Sequence, residues 1–192
     1  MTELEAFYRE RGLAVVWRLT PLAPPAVEAV LSGRGYGAIE RSLVQRCPLR
    51  PDFATDPQVQ ILERPTEDWI DAFSLHSPVR PNYRAVMRRM LSAIAAPAGF
   101  AFVVEDGRPM AMAIGAVEGN HMGLFDVLVM PHARRRGLAR RVTESLYAWA
   151  WQHGARFAYL QVVATNDAAL PLYAAQGFRT LYEYEYRIPP SS

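Results

Sequence analysis

Apolar residues recur along this chain with two periods, one typical of strands and one typical of helices. Between residues 100 and 130, three apolar runs are separated by the turns Asp106-Gly107 and Gly119-Asn120, which predicts a three-strand antiparallel meander. After Gly137, apolar residues at helical spacing predict a long helix that ends at Gly154. The members of this helical stripe are Leu138, Val142, Leu146 and Trp149.

The other segments complete an alternation of strands and helices. From residue 58 onward the predicted order is strand, two helices, three strands, helix, strand, helix and strand; the segments outside the meander and the long helix are 58–62, 65–73, 82–95, 157–163, a short helix after Asn166, and the final strand. The strand–helix–strand from Val127 to Val163 predicts a parallel pair. We therefore predict an α/β protein of the α+β kind, with a mixed, mostly antiparallel sheet flanked by helices.

Composition indicates a globular chain with one sizeable core. The 192 residues are 51% hydrophobic and carry a formal net charge of +2, which excludes disordered and fibrous classes. No apolar run has membrane-spanning length, Met1 starts no signal peptide, and the single Cys47 excludes an internal disulfide framework, so we expect a cytoplasmic protein. No metal is expected, since the histidines lack zinc-ligand spacing: His76, His121, His132 and His153.

A strand, a basic turn and a helix follow one another over residues 127–139. The first amides of a helix have no partner within it, and the helix dipole adds positive potential, so this turn attracts a phosphate. Gly137 and Ala139 allow close approach to the backbone, and three arginines supply charge: Arg134, Arg135 and Arg136. The turn predicts a pyrophosphate site. A solvated basic turn and a phosphate contact to nucleic acid are the alternatives.

The spacing Arg134-x-x-Gly137-x-Ala139 resembles the acetyl-coenzyme A signature (Arg or Gln)-x-x-Gly-x-(Gly or Ala) of the GNAT N-acetyltransferase superfamily. A later stretch resembles the second GNAT signature and reads Asn166-x-x-Ala169-x-x-Leu172-Tyr173-x-x-x-Gly177-Phe178. The resemblance covers the chain from residue 58 to its C-terminus. It implies the GNAT fold and an enzyme that transfers an acetyl group from acetyl-coenzyme A, its cosubstrate, to a primary amine in a ternary complex.

The resemblance also implies a coenzyme A site. The strand that ends at Val129 would splay from its parallel neighbour near residues 161–163, so that backbone groups of Leu128 and Val129 address the pantetheine arm and the acetyl carbonyl. The pyrophosphate would lie on the turn, with Asn166 and Tyr173 completing the site; the turn residues are Arg134, Arg135, Arg136, Gly137, Leu138, Ala139 and Arg140. Arg135 stands where the family often has glycine, and its role stays open between binding the 3′-phosphate and pointing to solvent.

Acetyl transfer to an amine needs a neutral amine, donors for the oxyanion and a proton for the departing thiolate. Tyr173 matches the family tyrosine and is the expected general acid. Many members carry a glutamate on the strand before the turn, but here that strand offers only Asp126, and Glu118 lies one strand earlier. Either carboxylate could act as the general base through a water molecule.

The resemblance implies a small-molecule or peptide amine as the acceptor, and the sequence does not select between them. Its site is expected where the two early helices meet the last strand, among aromatic side chains that serve equally well in core packing: Trp69, Phe73, His76, Tyr83, Tyr182, Tyr184 and Tyr186. The alternative function is a non-catalytic acyl-coenzyme A-binding regulatory module. Neither a nucleic-acid nor a membrane partner is expected, because acidic residues are spread throughout a nearly neutral chain.

The first third of the chain resembles the last third when the sequence is shifted by 142 positions, which puts Gly12 on Gly154 and Gly35 on Gly177. Asn166 and Tyr173 fall on Pro24 and Leu31, so the copy lacks their chemistry. We predict a degenerate strand–helix–strand extension over 1–46, resembling the C-terminal half of a GNAT domain, a linker over 47–57 and the acetyltransferase domain over 58–192. We expect the apolar face of the extension to be buried, either against the acetyltransferase domain or against a second subunit in a homodimer.

Overall fold

The computed structural model describes residues 2–76 and 84–190. The helices are α1 (Thr2–Arg9), α2 (Pro25–Gly33), α3 (Glu67–His76), α4 (Arg84–Ser92), α5 (Leu138–Gln152) and α6 (Leu170–Ala175). The strands are β1 (Trp17–Leu19), β2 (Gly37–Pro48), β3 (Gln60–Leu62), β4 (Ala98–Glu105), β5 (Arg108–Glu118), β6 (His121–Val129), β7 (Phe157–Val163) and β8 (Arg179–Ile188). A 3-10 turn, Pro131–Ala133, precedes the basic turn.

The chain divides into two compact units. Unit 1 comprises Met1–Gln45 and Gln161–Ser192, and unit 2 comprises Arg46–Leu160. Both boundaries fall inside strands, so residues of β2 and of β7 are shared between the units.

The strands of unit 2 follow the order β7-β6-β5-β4-β3. The predicted meander is present as β4, β5 and β6, with Asp106 and Gly107 in left-handed conformation (φ 50° and 73°) at the first turn. Helix α5 lies on one face at Gly99 of β4, where a Cβ atom would come within 3.1 Å of a Leu146 methyl carbon. Phe100, the next residue, points to the other face and meets Trp69 of α3 edge-on at 5.4 Å. Helices therefore cover both faces of this sheet.

Residues 49–57 of unit 2, within the predicted linker, lie against α5. Phe53 contacts Tyr147 edge-on at 5.2 Å between ring centroids. Asp56 accepts hydrogen bonds from Arg141 Nε at 2.7 Å and Nη2 at 2.9 Å, and its N–H donates to Ser145 Oγ at 2.9 Å. These contacts hold the segment to the helix that begins at the basic turn.

The strands of unit 1 follow the order β1-β8-β2-β7. Strand β1 pairs antiparallel with β8, from Trp17 opposite Arg187 to Leu19 opposite Glu185. Helix α2 buries Leu31 completely. Ion pairs within the unit join Arg34 to Glu5 at 3.0 Å and Arg187 to Glu28 at 2.8 Å.

The structure confirms the predicted fold class, because its strands are mostly antiparallel, β6 and β7 form a parallel pair, and helices flank the strands. The strand, helix and strand predicted in the first third are present as β1, α2 and β2. The helix predicted over 82–95 spans Arg84–Ser92, and residues 82 and 83 lie outside the described residues. No helix among residues 2–76 and 84–190 is long and apolar enough to cross a bilayer.

Candidate functional site

The basic turn before α5 contains two left-handed residues, Arg135 (φ 63°) and Gly137 (φ 74°). Glycine adopts this conformation freely, whereas a residue with a Cβ atom is strained in it. The glycine that the GNAT family often has at the position of Arg135 would avoid this strain. Arg141 N–H donates to Gly137 O at 3.1 Å, which begins the helical hydrogen-bond pattern. Among the described residues no side chain caps this helix end. The amides of residues 138–140 are therefore donors for a ligand.

Two of the predicted phosphate-binding arginines are engaged in ion pairs. Arg136 Nη2 lies 2.8 Å from Glu105 Oε2, and Arg140 Nε lies 2.8 Å from Glu144 Oε1. In the described part of the chain, neither Arg134 nor Arg135 has a carboxylate within ion-pair distance, and both are exposed. The two arginines before Arg136 thus carry the charge that a phosphate can meet.

Strand β6 contains a β-bulge. Met112 lies opposite Leu128 and Ile114 lies opposite Phe125, so that Asp126 and Val127 together oppose one residue of β5. Asp126 is left-handed (φ 52°), which is the conformation of the first residue in a G1-type bulge. The bulge bends β6 at the position of the predicted base.

The parallel pairing of β6 with β7 is short, covering His121–Gly123 against Phe157–Tyr159. On its other edge β6 remains paired with β5 to its end, and Met130 N–H donates to Met110 O at 2.9 Å. Because hydrogen-bonded pairs alternate in antiparallel strands, Leu128 bonds to β5 while the N–H and C=O of Val129 point away from it. Of the two predicted backbone contacts, Val129 therefore offers its groups to a ligand and Leu128 does not.

The carboxyl of Asp126 has a raised pKa. The residue is exposed at the open edge of β6, yet the protein atoms around its carboxyl group disfavour the charged form by desolvation. Glu118 lies at the far end of the β5–β6 hairpin, opposite His121. Asp126 follows His121 by five strand residues, roughly 17 Å at strand spacing. The structure therefore leaves Asp126 as the carboxylate at the bulge and places Glu118 away from it.

Tyr173 and Asn166 belong to unit 1. Asn166 Oδ1 accepts a hydrogen bond from Ala169 N–H at 3.1 Å just before α6, and Gly177 ends the helix with φ 87°. Tyr173 is 7% exposed and its ring lies 5.7 Å from that of Phe178. Burial raises the pKa of Tyr173 to about 12, so the phenol keeps its proton at neutral pH.

The thiol of Cys47, the only cysteine of the chain, is 1% exposed. Burial raises its pKa to about 11. The reactive thiolate is therefore scarce at neutral pH. Within residues 2–76 and 84–190, no group of three His, Cys, Asp or Glu side chains could hold a metal ion.

The predicted acceptor residues divide between core and surface. Trp69 and Phe73 stack at 5.2 Å and are 2% and 3% exposed, so they pack in the core of unit 2, which is one of the two roles that the sequence left open. The side chain of His76 and residue Tyr83 lie outside the described residues. On β8, Tyr182 is 38% exposed and Tyr184 is 7% exposed, and Tyr186 is intermediate in exposure.

One contact that the sequence did not indicate joins Arg18 to Gln161 and Tyr184. Arg18 Nη2 donates to Gln161 Oε1 at 3.1 Å, and its guanidinium lies 3.7 Å from the centroid of the Tyr184 ring. These partners come from three strands, and no sequence spacing announces such contacts.

Comparison with known proteins gives three findings. Residues 1–187 match the family described as probable histone acetyltransferase Rv0428c C-terminal. The uncharacterized N-acetyltransferase YobR of Bacillus subtilis strain 168 is 28% identical over 200 residues, which cover 97% of this chain and 77% of that protein. The ribosomal protein bS18-alanine N-acetyltransferase of Escherichia coli strain K12 is 34% identical over 76 residues, which cover 40% of this chain and 51% of that protein.

A solved structure shares the fold. The tandem GNAT protein from the clavulanic acid biosynthesis pathway superposes with a TM-score of 0.79 at 14% identity, covering 99% of this chain and 69% of that chain.

Proposed function

The chain is a GNAT-type acetyltransferase of the family described as probable histone acetyltransferase Rv0428c C-terminal, and on that premise we propose that it transfers an acetyl group from acetyl-coenzyme A to a primary amine in a ternary complex. The observation that carries this proposal is the turn before α5. Its free amides, its left-handed Gly137 and its two arginines, which have no carboxylate partner among the described residues, together suit a pyrophosphate.

Acetyl-coenzyme A supplies the thioester, and unit 2 would hold it in two places. The amides of residues 138–140 with Arg134 and Arg135 would bind the phosphates by charge-assisted hydrogen bonds. The outward N–H and C=O of Val129, on the unpaired edge of β6, would bind the extended arm and the acetyl carbonyl. A β-strand edge offers such groups at regular spacing, which suits an extended ligand.

The protein side chains would supply the proton transfers. Asp126 would accept the proton of the incoming ammonium, directly or through water, because its raised pKa makes it a better base than an ordinary aspartate. Tyr173 would protonate the departing thiolate, since a phenol with a pKa of about 12 still carries its proton at neutral pH. The buried Cys47 supports direct attack by the amine over an acyl-cysteine intermediate.

We also propose that residues 1–46 are a degenerate repeat of the C-terminal strand–helix–strand segment. The shift of 142 positions relates Gly12 to Gly154 (φ 66° and 92°) and Gly35 to Gly177 (φ 78° and 87°). It also relates the first residues of β2 and β8, Gly37 and Arg179. The strand order β1-β8-β2-β7 is symmetric under this relation. If β1 is replaced by β7, β2 by β8, and the reverse, the order becomes β7-β2-β8-β1, which is the same order read from the other end. Such two-fold order within unit 1 is expected of two copies of one strand–helix–strand unit.

A screen of amine acceptors tests the proposed function. Small amines, amino acids and peptides are incubated with acetyl-coenzyme A, and the release of free thiol is measured. We expect acceptor-dependent release by the wild type and none by Gly137→Glu, which puts a side chain and a negative charge on the phosphate site. Gly107→Glu, at another left-handed glycine with open surroundings, controls for backbone strain. Binding of acetyl-coenzyme A with no transfer to any acceptor would instead indicate a regulatory module.

A further inference from the structure

Unit 1 holds an exposed arginine in a fixed position. The guanidinium of Arg18 on β1 lies over the Tyr184 ring, and its Nη2 donates to Gln161 Oε1 at 3.1 Å. The Tyr184 hydroxyl donates to the same oxygen at 2.9 Å. Tyr184 is buried beneath the guanidinium, so stacking and hydrogen bonding together orient a side chain that would otherwise move freely in solvent.

Arg18 differs in its partners from three other arginines of unit 1. Arg34 pairs with Glu5 at 3.0 Å, Arg41 with Glu183 at 3.3 Å, and Arg187 with Glu28 at 2.8 Å. In the described part of unit 1, Arg18 has only neutral partners. A guanidinium that is oriented by neutral groups and exposed on one side is arranged for an outside anion.

Gln161 adds a second donor group beside this charge. Its Oε1 accepts from Arg18 and from Tyr184, and arginine can only donate, so the orientation of the amide is settled. The Nε2 amino group therefore points away from both partners, and its N–H donors face elsewhere. The remaining N–H groups of the guanidinium and of the amide are donors of the kind that bind the oxygens of a carboxylate or a phosphate.

Tyr184 links this donor pair to the acceptor. It is one of the tyrosines of the last strand among which the sequence predicts the acceptor site, and the Arg18 guanidinium lies 3.7 Å from the centroid of its ring. An anionic group of an acceptor bound among these tyrosines would therefore meet Arg18 and Gln161.

We propose that Arg18 and Gln161 bind an anionic group, a carboxylate or a phosphate, on the amine acceptor, and that the enzyme therefore selects acceptors that carry a negative charge. The proposal rests on the proposed function, since it concerns the acceptor of that reaction. It predicts weak use of lysine-rich peptides.

Matched pairs of amines test this selection. The probes are β-alanine with β-alaninamide for the carboxylate, O-phosphoethanolamine with ethanolamine for the phosphate, and an acidic with a lysine-rich peptide. We measure kcat/KM from thiol release and, separately, binding of each probe by NMR titration. We expect the wild type to prefer one anionic member over its neutral partner by about tenfold, the effect of one charge-assisted contact.

Three variants locate the effect. Arg18→Gln removes the charge and should bring the preference close to one. Gln161→Glu keeps the shape but pairs its own carboxylate with Arg18, so it should also abolish the preference, without loss of affinity for coenzyme A. Arg41→Gln, an exposed arginine of the same unit, should keep it. The melting temperature of each variant shows whether unit 1 is intact.

The results separate this inference from the proposed function. Equal use of charged and neutral members by the wild type, preference for the lysine-rich peptide, or an undiminished preference in Arg18→Gln would overturn it. Arg18-dependent binding of anionic probes without acetylation of any probe would uphold the anion site and contradict the proposed function. Acetylation without charge preference would do the reverse.

Discussion

Arg136 donates to both carboxylate oxygens of Glu105, at 2.8 and 2.9 Å, where the turn before α5 meets the end of β4. This pairing divides the three consecutive arginines into one that stabilises the turn and two that are available to a ligand.

The first prediction is that the arginines of the turn differ in their effect on coenzyme binding. Arg134→Gln should weaken the affinity for acetyl-coenzyme A about tenfold, the scale of one charge-assisted contact, as measured by calorimetric titration. Arg136→Gln should change it by less than about threefold, because its charge already meets Glu105. Equal losses in the two variants would mean that the ion pair does not hold in solution.

The second prediction concerns the proton of Tyr173. Tyr173→Phe keeps the buried ring and removes the acid, so turnover should fall by roughly ten- to a thousandfold with little change in coenzyme affinity. Steady-state kinetics and a binding titration separate the two quantities. If turnover stays at the wild-type level, Tyr173 has no part in the mechanism.

The third prediction follows from the raised pKa of Asp126. Asp126→Asn should lower kcat/KM by roughly a hundred- to ten-thousandfold, the usual range for a general base. In the wild type, kcat/KM should rise with pH as this carboxyl loses its proton. Asp106→Asn, an exposed aspartate that is also left-handed, is the matched control and should keep full activity.

The same variant also has an expected effect on stability. A folded-state pKa above the unfolded value means that the protonated carboxyl favours the native state, and this contribution is lost as the pH rises through the folded pKa. Asp126→Asn stays neutral throughout. Its melting temperature should match the wild type in acid and exceed it at higher pH. A wild type that is more stable than the variant at neutral pH would contradict the desolvation of this carboxyl.

The fourth prediction tests through a deletion whether the extension stabilises unit 1. Removing residues 1–46 takes away β1, α2 and most of β2, including the buried Leu31 and Val44, and leaves the edge of β8 without its partner β1. The truncated protein should aggregate or melt at a lower temperature before its affinity for acetyl-coenzyme A falls. A truncated protein that remains soluble with an unchanged melting temperature would show that the extension does not stabilise unit 1.

The sequence predicted the parts of the site that depend on neighbours along the chain. Gly137, Asn166 and Gly177 act through local backbone geometry, and the Asp106-Gly107 turn defines its hairpin through conformations that these residue types favour. Element types and order followed from the same local signals.

The contacts between distant residues could not be predicted in this way. Arg18 meets Gln161 across 143 positions and Arg141 meets Asp56 across 85, and neither pairing leaves a periodic trace in the sequence. The bulge at Asp126 arises from the register between two strands, which side-chain alternation does not determine. The sequence could not decide the role of Trp69 and Phe73, because large apolar side chains serve a core and a pocket equally well.

A single-turnover reaction tests the central claim most directly. The protein, in excess over acetyl-coenzyme A, is mixed with the best acceptor from the screen and quenched at short intervals, and intact mass spectrometry follows protein and acceptor together. The account predicts one acetylated acceptor for each thiol released, with the protein mass unchanged throughout. An acetylated protein that forms first and then decays, or bound acetyl-coenzyme A that acetylates no acceptor, would contradict it.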